Sequence, residues 1–472
     1  MADGEPSERL ILTGDVGGTN CRLMLFDSVD LKFKTDKVRH IDSFENDDFH
    51  SFTDVLCRFL NDAAGKIPNM KIRVACIAVA GPVSGQKINF TNREGWIIDA
   101  EDMKSSFNID RVVLVNDFVA NGHGVTTLTD DELIVMQRGR SNPFAPKALV
   151  GAGTGLGECF ITPAKIPAVP DTEPDKAPGA KALLTEIPAC DAELGLSQVF
   201  QTEGGHVDFA PRNAVEDRLL EYIRGVLKYK HPDDQGASNY ESRHDHDVPR
   251  VSVERVVSGK GLVTVYEFLR SEYPKDVVEE HDKFIMSHAP SRAKHLAQMY
   301  YDYPLAKQAM DIFFESYGSE AGNVALKYMP FGGLYIAGGI APKNSEHIIS
   351  ENSGFMQAFH HKGRLSDLIK QIPVYLVVKE DLGLRGAHLV ALHELLDLER
   401  EAKEGHALVQ MKEEPVIFRL KHVMSEMNRV VSESLHENAG LWSLGASIVT
   451  TGALALYVTY TLERLVHIMR ER

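Results

Sequence analysis

The chain has 472 residues, enough for two or three domains with sizeable cores. Apolar residues make up 43% and charged residues 25%, an ordinary globular balance. A formal net charge of −16 repels polyphosphate backbones at long range and argues against nucleic acid as a partner, although local amides and a divalent cation could still hold one nucleotide. Five cysteines (Cys21, Cys57, Cys76, Cys159, Cys190) lie far apart without CxxC or zinc-ligand spacing, so they read as reduced thiols in a cytosol-like compartment. The start, "MADGEPSERL", is polar and acidic and has no apolar signal-peptide core.

In chain order, residues 8–27 ("ERLILTGDVGGTNCRLMLFD") read as a strand, a Gly-centred turn and a second strand. "RVACIAVAGPV" (73–83) and "RVVLVNDFV" (111–119) are short, continuously apolar runs that suit strands covered on both faces by helices. A second hairpin of the first kind follows at 147–162, "KALVGAGTGLGECFIT". Two Gly-turn hairpins, each opening an α/β unit, predict a duplicated two-lobe architecture with a cleft between the lobes. Segments at about 163–200, opening with a proline-rich run, and at 228–250, polar and charged, read as surface insertions. The His-Asp alternation from His244 to Asp247 reads as solvated coil rather than a metal site. A late strand, "GGLYIAGGIAP" (332–342), again ends in a double glycine.

The tail has a different character. Residues 399–439 are charged and helix-prone, and 440–462 ("GLWSLGASIVTTGALALYVTYTL") contains no charge. At about 1.5 Å per residue that segment is long enough for a bilayer core, with Trp442 and Tyr460 near its ends, so it is a candidate transmembrane anchor.

The chemistry begins at "GDVGGTN". In a tight Gly turn successive N–H groups converge on an anion, and glycine lets a phosphate approach the backbone. Thr19 adds a hydroxyl, and Asp15 could hold Mg²⁺ through water. "GAGTGLG" (151–157) supplies a second turn with Thr154. "LVNDFVA" places Asp117 at a strand end, where it or Asn116 could serve as a helix N-cap or as the base for an attacking hydroxyl. Glu203 and His206 in "TEGGHVDF", and Glu254 in "VSVERVVSGKGL", offer donors and acceptors suited to a sugar.

Together these blocks, with "VAGPVSG", "LYIAGGIAPK", "HKGR", "IPVYLV" and "GLRGAHL", resemble the bacterial-type glucokinase family of the hexokinase/actin/Hsp70-like ATPase superfamily. They occur in family order and cover most of 11–397. The resemblance implies an α/β, two-lobe actin-like (ribonuclease H-like) ATPase fold with a central cleft and a C-terminal helical tail. It implies a small lobe at 8–120, a large lobe at 121–382 and a helix at 383–398 returning to the small lobe. The implied reaction transfers the γ-phosphoryl group of ATP, with Mg²⁺, to the 6-hydroxyl of glucose. Asp117 aligns with the catalytic base, and Asn116, Asp117, Glu203, His206 and Glu254 align with the sugar site. The nucleotide segments match Gly14, Asp15, Val16, Gly17, Gly18 and Thr19, then Gly151, Gly153, Thr154 and Gly155, then Gly338 and Gly339, with Asp15 toward the metal. The loop "TNREGW" is one residue longer than the family pattern, so Asn92 is left out of the sugar site. Only Cys190 lies near His206, which does not support the zinc motif of the related repressor/kinase group.

The expected partners are therefore glucose and ATP, with a membrane through the C-terminal helix and a homodimer as a further expectation. The catalytic lobes are expected in the cytosol, tail-anchored to a mitochondrial or plastid outer membrane, with a soluble cytoplasmic enzyme as the alternative. The rival reading is a catalytically inactive, membrane-tethered sugar sensor or scaffold. The intact catalytic set argues against it.

Overall fold

A computed structural model describes residues 9–27, 37–81, 83, 85–90, 96–163, 197–229 and 249–413. The loop position Asn92, most of both insertions, the His244–Asp247 run, Cys190, the linker beyond 413 and the apolar segment 440–462 lie outside them. The chain falls into two compact units, Met1–Leu396 and Asp397–Arg472.

The first unit is built on two large sheets of matching topology. In the first, β1 (Arg9–Val16), β2 (Asn20–Asp27) and β3 (Val38–Glu45) form an antiparallel meander, and β4 (Lys71–Val79) and β7 (Arg111–Asn116) add in parallel beyond β1, giving the order β3-β2-β1-β4-β7. A small ribbon of β5 (Lys87–Asn89) and β6 (Ile97–Asp99) lies between β4 and β7 in sequence. The second sheet repeats the plan: β9 (Lys147–Ala152), β10 (Leu156–Thr162) and β11 (Gln198–Thr202) form the meander, and β12 (Gly333–Ala337) and β13 (Val374–Val377) add in parallel. An antiparallel edge strand, β8 (Leu133–Gln137), completes the order β11-β10-β9-β12-β13-β8. The duplication expected from the two Gly-turn hairpins is thus present in the strand order itself.

The local chemistry explains the elements. In β4 every residue from Val74 to Val79 is buried, which suits a central strand flanked on both sides and covered on both faces. Ser51 and Ser258 cap the helices Phe52–Ala64 and Gly259–Glu272 by accepting from Asp54 N and Gly261 N. The first sheet closes over a core including Leu12, Leu25, Phe52, Phe59, Ile77 and Trp96. The second packs against the long helix Pro304–Tyr328 through Val150, Ile336, Phe313, Tyr317, Phe355 and Phe359.

Two strand expectations are corrected at their ends. The run 111–119 is strand only to Asn116, because Asn116 starts the helix Asp117–Val125. The run 332–342 is strand only over Gly333–Ala337, since the chain turns at Gly338 with φ +82°. The helix Leu382–Glu413 returns to the first sheet: a Cβ at Gly383 would lie 2.8 Å from Asp15 Oδ2, and Arg111 Nη1 donates to Glu394 Oε2 at 3.2 Å. Within the second unit, Arg400 and Asp397 pair along the same helix.

Among the described residues no helix is long and apolar enough to cross a membrane. The described cysteines Cys21, Cys57, Cys76 and Cys159 are free thiols, and only Cys57 of these is exposed.

Candidate active site

Parallel strands that share a sheet end at one edge, and open α/β sheets bind ligands beyond those carboxyl ends. Here β1, β4 and β7 end at Val16, Val79 and Asn116, and β9 and β12 end at Ala152 and Ala337. Of the sequence-predicted site residues, Gly17, Asp117, Gly153 and Gly338 come directly after these ends, Gly14, Asp15 and Gly151 lie in the last residues of β1 and β9, and Glu203 follows β11.

Asn116 is the helix cap. Its Oδ1 accepts from Phe118 N at 2.9 Å and Val119 N at 3.2 Å, and its Nδ2 donates to Gly81 O at 3.1 Å. The cap fixes where the helix begins, and so holds Asp117, its first residue, at the strand end. The Asp117 Oδ1 accepts from Phe118 N at 3.0 Å. Burial pushes the Asp117 carboxyl up to about 7, with the negative charges of Asp15 and Glu203 adding to the rise and the Phe118 amide opposing it. Asp15 is itself raised by burial, which the Arg22 guanidinium partly offsets. Three carboxylates far apart in sequence thus share one electrostatic environment.

The first Gly turn divides into a buried part and a free part. Gly14 and Val16 lie within β1 and are buried, and a Cβ on Gly14 would meet Ile77 Cδ1 at 2.8 Å and Leu23 Cδ2 at 2.9 Å. Gly14 therefore serves sheet packing, and the exposed segment available to an anion is Gly18–Thr19. Asn46 pins that turn from below: its N donates to Thr19 O at 2.8 Å and its Nδ2 to Gly17 O at 2.9 Å. Gly17 N also donates to Asn20 O at 2.9 Å, so what the turn retains for an anion is the exposed Gly18–Thr19 step.

The second turn is held just as firmly. Gly153 N donates to Gly155 O and Gly259 N donates to Gly153 O, both at 2.8 Å. Glu254 Oε2 accepts from Leu156 N at 2.9 Å and lies 2.5 Å from where a Gly155 Cβ would stand. Thr154 is exposed and Gly153 faces open space. Gly338 packs onto the same strand end, since a Cβ there would be 2.3 Å from Ala152 O, whereas Gly339 is open apart from Lys343 Nζ at 3.9 Å.

Phe118 joins the two halves. Its ring lies against β9 and β10, so a Cβ at Gly157 would come within 1.9 Å of it and one at Gly151 within 3.0 Å. The residue after Asp117 is thereby wedged against the hairpin that carries the second turn. Glu203 and His206 flank a short 3-10 turn, Gly204–His206, with His206 Nε2 3.8 Å from Glu203 Oε2 and both side chains exposed. Glu380 accepts from Arg22 through its carbonyl at 2.9 Å and pairs with Lys343 Nζ at 2.9 Å, so one acidic residue bridges the two sheets' loops.

The family model described as Glucokinase matches residues 12–173 and 192–394. The chain belongs to the glucokinase family. That membership makes it a sugar kinase, a phosphotransferase. It is 35% identical to the glucokinase of Nostoc punctiforme over 394 residues, covering 81% of this chain and 98% of that one. The glucokinase of a Nostoc species is 36% identical over 395 residues, with the same coverage. In fold, the chain is similar to the crystal structure of Balamuthia mandrillaris glucokinase in complex with glucose, with TM-score 0.59 at 21% identity, covering 81% of this chain and 93% of that one.

Sequence reasoning missed several residues that hold the candidate site in place. Asn46 gave no signal, because an isolated Asn after a strand is ordinary. Phe118 stood in plain view in "NDFVA" but reads as a core residue. Gly383 and Gly386 were part of a matched block without any role attached.

Proposed function

We propose that this chain is a glucokinase in the strict sense, transferring the γ-phosphoryl group of ATP to the 6-hydroxyl of glucose, with Asp117 as base. The observation that carries the reading is the Asp117 carboxyl, half-buried at a helix N-terminus and poised near 7 between Asp15, Glu203 and the wedged second turn. A base with that poise is partly ionised at neutral pH and able to take a proton from an attacking hydroxyl. Glu203, His206, Glu254 and the remaining amide hydrogen of Asn116 would orient the sugar. Amides at Gly18–Thr19 and Thr154–Gly155, with the Thr19 and Thr154 hydroxyls, would hold the phosphates, and the open Gly339 would leave space for the adenosine.

Mg²⁺ fits this donor set. The Asp15 charge raises the proton affinity of Asp117, and burial raises that of Asp15, a costly arrangement that a divalent cation beside Asp15 would offset. No group of three or more His, Cys, Asp or Glu able to hold a metal occurs among the described residues, so the ion would be shared between Asp15, water and the nucleotide's own oxygens. Such an ion supplies charge neutralisation at the transferring phosphoryl group. The chain's residues then bring sugar O6 in line with phosphorus, remove its proton at Asp117 and exclude competing water.

A coupled assay of ATP and Mg²⁺ against a panel of hexoses tests the reading, and failure to phosphorylate glucose defeats it. Glu254 gives a sharper expectation. Glu254→Gln keeps an acceptor for Leu156 N and should raise mainly glucose KM, by roughly tenfold, whereas Glu254→Ala should raise the KM for ATP as well. His206→Ala should raise sugar KM alone. Titrations that leave glucose KM unmoved in Glu254→Gln and His206→Ala reject their place in the sugar site.

The uncharged run 440–462 supports a C-terminal membrane anchor on length and charge exclusion, leaving the catalytic lobes in the cytosol. Fractionation of the full chain beside a version ending at 438 should place only the full chain with membranes. Equal partition of both discards the anchor.

A further inference from the structure

One buried acid near the sugar turn has no part in the mechanism above. Glu158 lies on β10 and is 1% exposed, beneath the 3-10 turn Gly204–His206. A Cβ at Gly204 would stand 1.8 Å from Glu158 Oε2 and 2.3 Å from its Cδ, so the turn rests directly on this carboxyl. The contact is reinforced around it: Thr202 Oγ1 donates to Glu158 O at 3.2 Å, and Gly204 N donates back to Thr202 Oγ1 at 3.3 Å. Gly205 is pressed against Leu156 O, where a Cβ would be 2.0 Å away. Among the described residues no donor reaches Glu158 Oε1, which is sealed from solvent. A buried carboxyl without a compensating partner is costly, and such groups in native folds call for an explanation.

We propose that Glu158 is a positioning residue for the hexose: its carboxyl is the floor on which Gly204 rests, and it sets where Glu203 and His206 stand. The inference rests on the sugar site assigned above. The surroundings add a dependence on protons. Burial pushes Glu158 up to about 8, helped by the nearby Glu320 and opposed by Lys327. Glu320 is itself raised by burial and engaged by Asn323, Lys327 and, more remotely, Lys362. The Tyr317 hydroxyl and Cys159 thiol also feel the Glu158 charge, and burial holds both in the protonated form. Because the folded-state value lies above the ordinary carboxylate range, the seat is uncharged below about 8. It is disturbed as pH rises through that value, when a second negative charge would form beside Glu320.

The test compares Glu158→Asp and Glu158→Gln with the wild-type chain in glucose and ATP titrations from pH 6 to pH 9. Glu158→Asp withdraws the carboxyl by one methylene and should raise glucose KM about tenfold, with kcat and the KM for ATP within about twofold. Glu158→Gln fills the same space without ionising, so it should keep near-normal glucose KM at pH 7 and lack the rise in KM above pH 8 expected of the wild type. A general structural defect would move both KM values and the melting temperature together, in both variants. Unmoved glucose KM in Glu158→Asp, equal disturbance of both substrates, or an unaltered pH profile in Glu158→Gln overturns the proposal. A wild-type chain that phosphorylates no hexose removes the sugar-site reading along with it, whereas an active wild type with indifferent variants removes this proposal alone.

Discussion

Replacing Asp117 by asparagine is expected to lower kcat by roughly 10²–10⁴, while glucose KM changes far less. The amide keeps the shape and can still accept from the Phe118 N–H, but it cannot take the proton from O6. In the wild type, kcat/KM should rise with pH through about 7 as the carboxyl ionises, and in the variant that limb should vanish. Stability should move the other way. The fold raises this carboxyl above its unfolded value, so between about pH 4 and pH 7 the folded chain holds a proton that the unfolded chain has lost, and stability falls as pH rises through that window. Asparagine has no such loss, so the variant should be the more stable protein above pH 7, by on the order of 1–3 kcal/mol after allowance for partial exposure. Steady-state kinetics and thermal melts on one preparation check both halves. A variant with near-normal kcat removes Asp117 from the role of base.

The second large effect is expected far from any ligand, at Gly386. A Cβ there would lie 1.6 Å from Ala120 O and 2.9 Å from Gly124 N, and a Cβ at Gly124 would lie 2.3 Å from Leu382 O. The two helices interlock through backbone on both sides, so no side-chain rotation relieves an added methyl. Gly386→Ala should therefore cost about 3 kcal/mol or more and lower the melting temperature by roughly 5–10 °C. It should also lower kcat by roughly tenfold or more, because the displaced helix carries Asp117 at its first position. Gly225→Ala is the control: it sits in the helix Ala214–Tyr229 with nothing within 4 Å of the added carbon, and should be neutral or slightly stabilising. Equal melting temperatures for the two variants would show that the interlock does not matter.

What could be read in the sequence follows from how local each signal is. The duplicated sheet was legible because each half begins with the same strand, Gly turn and strand, and hairpin pairing is settled within about twenty residues. The place of Asp117 was legible because an apolar strand followed by Asn-Asp marks a strand end and a helix start. By contrast, the roles of Gly14, Gly386 and Glu158 depend on what another segment places against them. Gly14 sits inside a phosphate-loop motif yet faces Ile77 and Leu23, which only the sheet register reveals. Glu158 sits in a matched hairpin, one residue past the glycines that drew attention, and its meaning comes from a turn more than forty residues later.

Glu254 reaches Leu156 N at the foot of the second turn and, in the sugar role proposed for it, the hexose as well. A single carboxylate with two claimants would couple them thermodynamically: whatever glucose did to that side chain, it would do to the second turn proposed to hold the nucleotide. Reciprocity then requires ATP to change glucose affinity by the same factor that glucose changes ATP affinity. The cooperativity between the two substrates would be carried by one hydrogen bond, and breaking it should make the two dissociation constants independent.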